Sequence, residues 1–281
     1  MEPCKPSIQT ALLLTGNELL NGDIVDTNAP FIAQAFLMAG IRIERKLTIG
    51  DDLQTIVQAL HSLSETHDVV VVNGGLGATV DDFTSEAVAL VIDRPLEEHP
   101  AAVENIRKRY GRSFAEDNTD YYQHLKKQAL LPQGVEIIPN PVGLAVGFKV
   151  KIRRALFYFT PGVPQEMRQM VTQSIIPDIT EQFPLNPALV TRRLRIIGTG
   201  ESRIQQMLHL HIPKDTWESI ELGFQASMAM VELKLSIRDQ SAAPLLASTE
   251  ELVRTVFRDQ IASSGETLEE TVVALLLDKA K

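Results

Sequence analysis

One stretch of the chain combines glycines, hydroxyls and carboxylates within fourteen residues. It reads Asn73-Gly74-Gly75-Leu76-Gly77-Ala78-Thr79-Val80-Asp81-Asp82-Phe83-Thr84-Ser85-Glu86 and directly follows the β-branched run Val69–Val72. Glycine permits positive φ angles, so backbone N–H groups can approach an anion closely, and carboxylates near a helix start can hold a divalent cation. The stretch predicts a phosphate site beside a metal site, with Asp81, Asp82, Thr84 and Glu86 in the first turns of the following helix.

The same stretch also has an ordinary structural interpretation. Glycine-rich turns between a strand and a helix are common in α/β proteins, and acidic residues in a first turn cap helices. The pattern Gly-Gly-x-Gly lacks the spacing of the dinucleotide fingerprint, and no Gly-Lys-Ser/Thr follows that would make a P-loop. We expect one of Asp81 and Asp82 to face the cleft and the other to cap the helix. Thr79 either binds phosphate through its hydroxyl or caps the helix.

The composition sets the class of protein. A length of 281 residues with 44% hydrophobic side chains fits one large or two ordinary globular domains. A formal net charge of −9 argues against binding of nucleic acid or of an anionic membrane. The single cysteine, Cys4, excludes an internal disulfide. Together with the lack of a signal peptide or a membrane-length apolar run, this predicts a cytoplasmic protein.

Strand and helix patterns alternate in the first part of the chain and predict an α/β fold with a doubly wound, mostly parallel sheet. Ligands of such sheets bind beyond the carboxyl ends of the strands. The loops Thr15–Asn28, Gly50–Asp52 and Gly74–Asp82 are therefore expected to meet in one cleft. The predicted elements are strands Ile8–Leu14, Ile41–Ile49, Val69–Val72, Val135–Ile138, Val146–Ile152 and Ala155–Phe159, and helices Asn28–Met38, Asp51–Thr66 and Gln165–Thr180.

Three domains or parts of domains are expected. Residues 1–182 form the α/β domain, and its charged segment Glu97–Leu131 is either an arm over the cleft or a solvated pair of helices. Residues 188–262 form a smaller α+β domain, with strands Val190–Ile196, Ser219–Gln225 and Met230–Ile237 and helices Glu201–Leu210 and Pro244–Ile261. Residues 264–281 read as the first helix of a further domain that is truncated or missing.

Six motifs follow one another in the order found in the CinA family of competence/damage-inducible proteins, which the chain resembles over nearly its whole length. They are TGNELLNGDIVDTN at Thr15–Asn28, IGDD at Ile49–Asp52, NGGLGATVDDFTSE at Asn73–Glu86, NPVGLAVGF at Asn140–Phe148, TPGVPQEM at Thr160–Met167 and GTGES at Gly198–Ser202.

This resemblance implies a first domain similar to the molybdopterin-binding fold, associated in CinA proteins with metal-dependent hydrolysis of ADP-ribose to AMP and ribose 5-phosphate. It also implies a divalent metal (Mg²⁺, Mn²⁺ or Co²⁺), a monovalent cation such as K⁺, a small-molecule nucleotide as ligand and a homo-oligomer. Longer members carry a domain that deamidates nicotinamide mononucleotide, which we do not attribute to this chain. The alternatives are a non-catalytic module that binds molybdopterin or a nucleotide, and a scaffold for such a deamidase.

The chain departs from the family pattern at a few positions. Ala78 stands where proline is usual, which frees the turn but keeps every polar group. Leu144 and Val146 stand where threonine and proline are usual. The change at Leu144 replaces a possible phosphate-binding hydroxyl with an apolar group, so it bears on catalysis more than the change at Ala78.

The candidate site residues combine the chemistry of the motifs with the resemblance. A carboxylate-held metal neutralises a pyrophosphate and lowers the pKa of bound water. Candidate metal ligands are Asp51 and Asp82, and candidate catalytic residues are Asp82, Asp81 and Glu86. Candidate substrate-binding residues are Gly16, Glu18, Asn28, Gly74, Gly75, Gly77, Thr79, Asn140, Gly143, Gly162 and Glu166.

Several of these residues have a second interpretation. Asp51 and Glu166 are equally well explained as helix caps, and Asp26 as the cap of the helix that begins at Asn28. Glu18 orients either a ribose hydroxyl or a water molecule. Lys126 and Lys127 bind phosphate if their segment folds over the cleft, and are otherwise surface residues.

Overall fold

The computed structural model describes residues 8–110, 125–185, 189–227 and 230–263. The chain divides into two compact units, Met1–Asn186 and Pro187–Lys281. Cys4, the segment 111–124 with Tyr121 and Tyr122, and residues 264–281 lie outside the described residues. Within the described part of the chain, no helix is both long and apolar enough to cross a membrane.

A six-stranded sheet forms the centre of the first unit. Its strands are β1 (Thr10–Thr15), β2 (Ile43–Ile49), β3 (Val69–Asn73), β6 (Glu136–Ile138), β7 (Gly147–Ile152) and β8 (Ala155–Thr160), in the spatial order β2-β1-β3-β8-β7-β6. The first four strands in this order run parallel, whereas β7 and β6 are antiparallel to their neighbours. The predicted mostly parallel sheet is confirmed. Two short strands, β4 (Leu96–Glu98) and β5 (Leu130–Pro132), pair separately.

Helices cover both faces of this sheet, as a doubly wound fold requires. They are α1 (Asn17–Asn21), α2 (Asn28–Met38), α3 (Leu53–Thr66), α4 (Thr84–Ile92), α5 (Pro100–Tyr110), α6 (Pro164–Met170) and α7 (Ile176–Gln182). On one face α3, α4 and α5 pack on β1, β3 and β8, and on the other α2, α6 and α7 do so. Strands β1 and β3 are buried along their whole length because they are covered on both sides.

The helix predicted over Gln165–Thr180 is present as a continuous helical segment from Pro164 to Gln182, but it is not a regular α-helix throughout. A π-helical turn at Val171–Ile175 separates α6 from α7. Pro177, in the first turn of α7, has no N–H to donate, and its ring would clash with the carbonyl four residues earlier in a regular α-helix. The wider turn before Pro177 relieves this clash, and the helical segment continues to Gln182.

Helix α5, which begins the charged segment after β4, packs on the core of the first unit. Ala102 and Ile106 of α5 are fully buried in the core beneath the sheet. Helix α5 is thus not a solvated helix, and its residue Arg109 lines the cleft. Ala102 and Ile106 lie four residues apart and share one face of the helix, so these two side chains attach α5 to the core although the rest of its sequence is mostly charged or polar.

The second unit is a four-stranded antiparallel sheet with two helices. Its elements follow the order β9 (Val190–Ile197), α8 (Glu201–His211), β10 (Glu221–Ala226), β11 (Met230–Ile237), α9 (Ala243–Phe257) and β12 (Ile261–Ser263), and its sheet order is β10-β11-β9-β12. This βαββαβ arrangement is the ferredoxin-like motif. The helix predicted over Pro244–Ile261 ends at Phe257, because Arg258 takes a positive φ of 28° and Ile261 pairs with β9.

A partly buried polar cluster joins α7 to the antiparallel edge of the first sheet. The Asp178 carboxylate accepts hydrogen bonds from the Tyr158 hydroxyl (2.7 Å) and the Lys149 ammonium group (2.9 Å). Burial raises the pKa of Asp178, but these hydrogen bonds outweigh it and hold the pKa below its usual range. The ionised carboxylate therefore stabilises the fold above about pH 4, the pKa of an unfolded aspartate, and this contribution is lost as the pH falls through the lowered folded value.

We expect Asp178→Asn to lower the free energy of unfolding by about 1–2 kcal/mol at pH 7, since it removes two charge-assisted hydrogen bonds. The difference from the wild type should shrink as the pH is lowered below about 4. Urea denaturation at several pH values measures both effects, with the exposed Asp23→Asn as control for the loss of one carboxylate. An equal cost for the two variants would contradict this role of Asp178.

Candidate functional site

The glycine loop, Gly74–Phe83, connects β3 to α4 and is held at its start by three hydrogen bonds. The N–H of Gly74 donates to the carbonyl of Thr160 (3.0 Å), and Thr84 donates its hydroxyl to Gly74 O (2.9 Å) and its N–H to Gly75 O (3.1 Å). Gly74 has a φ of 116° and Gly75 a φ of 68°. A Cβ on Gly74 would lie 2.6 Å from the carbonyl oxygen of Thr15. The close approach of β1 and β3 therefore requires glycine here.

These contacts decide which N–H groups of the loop can bind an anion. The N–H of Gly74 is used within the fold, and that of Thr79 donates to the Asp82 carboxylate (2.9 Å). In the described part of the chain, the N–H groups of Gly75, Leu76 and Gly77 have no hydrogen-bond partner. An anion can thus be bound by the middle of the loop, and Gly74 shapes the loop instead of donating to the ligand.

Asp81 and Asp82 lie in the loop, because α4 begins only at Thr84. Both carboxylates lie 2.5 Å from the Thr79 hydroxyl, and neither caps the helix. The prediction that the two aspartates diverge is wrong, since a tight turn from Thr79 to Asp82 brings both to one side. The Thr79 hydrogen bond holds the pKa of Asp81 below its usual range. Thr79 does not cap the helix. Its hydroxyl is not free either, because its single proton is donated to the carboxylate of Asp81 or of Asp82.

The three loops predicted to converge do line one cleft of about 740 Å³ at the carboxyl ends of the parallel strands. The loop that precedes β7 and the turn before α6 line it as well. The predicted residues that line the cleft are Gly16, Glu18, Asp51, Gly74, Gly75, Gly77, Thr79, Asp81, Asp82, Gly143, Gly162 and Glu166.

Asp51 faces the cleft because its neighbour caps the helix. Asp52 accepts the N–H of Thr55 (2.8 Å) at the start of α3. Asp51 instead accepts the N–H of Asn17 (2.8 Å), while the Asn17 side chain accepts the N–H of Asp51 (3.2 Å). Burial raises the pKa of Asp51, the Asn17 bond lowers it, and the nearby Glu18, Asp81 and Asp82 carboxylates raise it further. Four carboxylates are thus close enough to interact at this end of the cleft.

Glu166 lies under the loop before β7 and is fixed by Asn140. The Asn140 amide donates to Glu166 Oε2 (2.6 Å) and to the carbonyl of Ala145 (2.6 Å), and its oxygen accepts the N–H of Gly143 (2.8 Å). Burial raises the pKa of Glu166, while the Asn140 bond and the Arg109 charge partly offset it. Glu166 does not cap α6. Asn140 is buried behind the cleft and positions both Glu166 and the loop.

Five other predicted residues lie beside the cleft or are used by the fold. The buried Asn28 amide donates to Asn73 Oδ1 (2.9 Å) and Gly162 O (2.7 Å) and so positions the cleft from behind. Glu86 faces a separate small pocket. Lys127 donates to Thr79 O (2.6 Å) on the glycine loop, and Lys126 pairs with Glu98 (3.0 Å). Asp26 accepts the N–H of Ala29 (2.9 Å) at the start of α2, as expected for a cap.

Three polar side chains that line the cleft are missing from the sequence prediction. Arg109 lines it and donates to the carbonyl of Val142 (2.9 Å). Thr15 Oγ1 and Gln128 Oε1 are buried at its lining without a hydrogen-bond partner among the described residues. Of these three, only Thr15 had a signal in the sequence, because it begins the loop Thr15–Asn28 that was predicted to line the cleft.

Comparison with known proteins shows the family of this chain. A family model described as a probable molybdopterin binding domain matches residues 11–181. The crystal structure of the protein CinA from Thermoplasma acidophilum is 33% identical, with a TM-score of 0.54, over 63% of this chain and 98% of that one. The chain belongs to the CinA-like family. The resemblance inferred from the six motifs is thus confirmed.

Two curated CinA-like proteins extend the similarity beyond the first unit. That of Shewanella piezotolerans is 38% identical over 96% of this chain and 62% of its own length. That of Colwellia psychrerythraea is 38% identical over 92% of this chain and 58% of its own length. The chain therefore spans about three fifths of the length of these relatives.

The donor set of this CinA-like cleft fits a metal ion only in part. No three His, Cys, Asp or Glu side chains among the described residues form a group that could hold a metal by themselves. Mg²⁺ is, however, commonly bound by one or two carboxylates together with substrate phosphates. Asp51 and Asp82 supply hard oxygen donors of this kind, so a divalent cation fits here if a phosphate completes its coordination.

We expect Gly74→Ala to lower the free energy of unfolding by more than about 2 kcal/mol, because it adds a backbone clash to the strain of a positive φ. Gly134→Ala is the matched control. Gly134 has a φ of 84°, but no atom lies within 4 Å of its Cβ position. Thermal or urea unfolding of the two variants should separate strain alone from strain with a clash. Equal costs would show that the approach of Thr15 to Gly74 is unimportant.

Proposed function

We propose that the first unit is a metal-dependent hydrolase of a nucleotide diphosphate, with ADP-ribose as substrate and AMP and ribose 5-phosphate as products. The observation that carries the proposal is that unpaired N–H groups of the glycine loop share one cleft with the carboxylates Asp51 and Asp82. N–H groups bind phosphate oxygens, and carboxylates hold a divalent cation against them.

The charge balance of the cleft supports a cation requirement. Its described lining contains five carboxylates (Glu18, Asp51, Asp81, Asp82 and Glu166) and a single cationic side chain, that of Arg109. A pyrophosphate that entered with its own negative charge would be repelled. A divalent cation bound with the substrate removes this repulsion and, when bound, polarises the phosphoryl oxygens and lowers the pKa of water.

The residues of the chain have distinct roles in this proposal. Gly75, Leu76 and Gly77 bind phosphate oxygens through their N–H groups. Asp82 holds the Thr79 N–H with the same oxygen that lies near the Thr79 hydroxyl, so its second oxygen is available to a cation. Glu166, with Oε2 already bound by Asn140, offers Oε1 to a ribose hydroxyl.

A binding module is the second candidate function. The matching family model is described as a probable molybdopterin binding domain, and the apolar side chain of Leu144 lines the cleft. In this case the loop would bind the phosphate of a pterin without hydrolysis. Calorimetric titration with molybdopterin, run beside an assay for release of AMP from ADP-ribose, distinguishes the two functions.

We expect the purified protein to release AMP and ribose 5-phosphate from ADP-ribose with Mg²⁺, Mn²⁺ or Co²⁺, and to lose this activity in EDTA. Asp82→Asn should lower kcat on the order of 100-fold, a typical loss when a group that stabilises transition-state charge is removed. Asparagine still accepts the Thr79 N–H, so the loop should keep its fold. Asp23→Asn is the control. Full activity of Asp82→Asn would refute the assignment.

We also expect metal and diphosphate to bind cooperatively, because the cleft alone offers an incomplete coordination shell. Mn²⁺ binding, followed by electron paramagnetic resonance, should be at least about tenfold tighter with a methylene-bridged ADP-ribose analogue present, and the analogue should gain equally from Mn²⁺. Tight Mn²⁺ binding without a nucleotide would show that the protein forms a complete metal site by itself.

A further inference from the structure

Arg109 is held in place at the cleft by a row of side-chain contacts from α5. Asn105, four residues earlier and on the same helix face, donates to the carbonyls of Gly143 (3.0 Å) and Leu144 (2.8 Å). Arg109 donates to the carbonyl of Val142 (2.9 Å). Because Ala102 and Ile106 anchor α5 in the core, the guanidinium group has a rigid support.

The guanidinium group still has capacity to bind a ligand. It carries five N–H donors, and its contacts to Val142 O and Asn140 O use two nitrogens. Within the described part of the chain, no carboxylate forms an ion pair with it, although Glu166 is near enough for its own pKa to respond to the charge. The Arg109 side chain is therefore oriented by backbone carbonyls. Among the described residues, its positive charge has no carboxylate paired with it.

The order of the strands places Arg109 relative to the acidic end of the cleft. Along the sheet order β2-β1-β3-β8-β7, Asp51 follows β2, Glu18 follows β1, the glycine loop follows β3, and the loop that Arg109 contacts precedes β7. Glu18 and Asp51 thus lie on one side of the glycine loop, and the guanidinium group lies on the other, where Glu166 is also found. An anion on the loop has a metal-binding side and an arginine side.

We propose that Arg109 binds the second phosphate of a diphosphate whose first phosphate lies on the N–H groups of the glycine loop, and so selects diphosphates over monophosphates. The inference rests on the proposed function in that the ligand is a nucleotide diphosphate, but it concerns binding and not turnover. A planar guanidinium group suits this task because it can bind two phosphate oxygens at once.

The test is a calorimetric titration, in the presence of Mg²⁺, with a methylene-bridged ADP-ribose analogue and with AMP. The wild type should bind the analogue at least about tenfold more tightly than AMP. Arg109→Gln should lose about 10- to 100-fold in affinity for the analogue and less than about threefold for AMP. Arg109→Lys, which keeps the charge but not the fork of donors, should lie in between.

Arg107→Gln is the matched control, because Arg107 lies on the same helix, pairs with Glu104 and does not line the cleft. It should bind both ligands like the wild type. The inference is overturned if the wild type shows no preference for the analogue, or if Arg109→Gln weakens both ligands equally. Selective binding by a wild type that releases no AMP would refute the proposed hydrolysis and leave the role of Arg109 intact.

Discussion

A buried amide network at the carboxyl end of β3 is the constraint on which the cleft depends. Asn73 donates to Thr160 Oγ1 (3.1 Å) and Pro161 O (2.6 Å), and its oxygen accepts the amide of Asn28. These bonds join β3, β8 and α2 at the point where their loops diverge. Because buried amides are costly to leave unpaired, the network fixes the floor of the cleft from which the glycine loop and the turn before α6 project.

Several glycines around this floor leave space for a carboxylate that a Cβ atom would otherwise occupy. A Cβ on Gly16, Gly77 or Gly143 would lie within 2.6 Å of the carboxylate of Glu18, Asp82 or Glu166, respectively. Each acidic side chain thus lies over a glycine, close to the backbone. This packing gathers negative charge around a loop with unpaired N–H groups, which is the electrostatic situation that a cation bound to phosphate would relieve.

The parallel core, the converging loops and the acidic and glycine residues of the cleft could be predicted from the sequence, because these follow from local patterns. Val69–Val72 is recognisable as a buried strand, and a glycine-rich turn after such a strand lies at the ligand-binding edge. Contacts set by detailed turn geometry could not be predicted in this way. Examples are the start of α4 at Thr84, the shared orientation of Asp81 and Asp82, and the π-helical turn before Pro177. Each of these features involves only a few residues of the chain.

By itself, the sequence determined the family, the fold class and the residue types that gather at one edge of the sheet, since all of these are written in motif order and hydrophobic pattern. Only the tertiary structure decided which of these groups face a ligand. It used the N–H of Gly74 and the amides of Asn28 and Asn140 within the fold, and it brought Arg109 to the cleft. The physical reason is that hydrogen-bond partners distant in sequence, such as Thr160 for Gly74 and Val142 for Arg109, become neighbours only when the sheet and its helices pack.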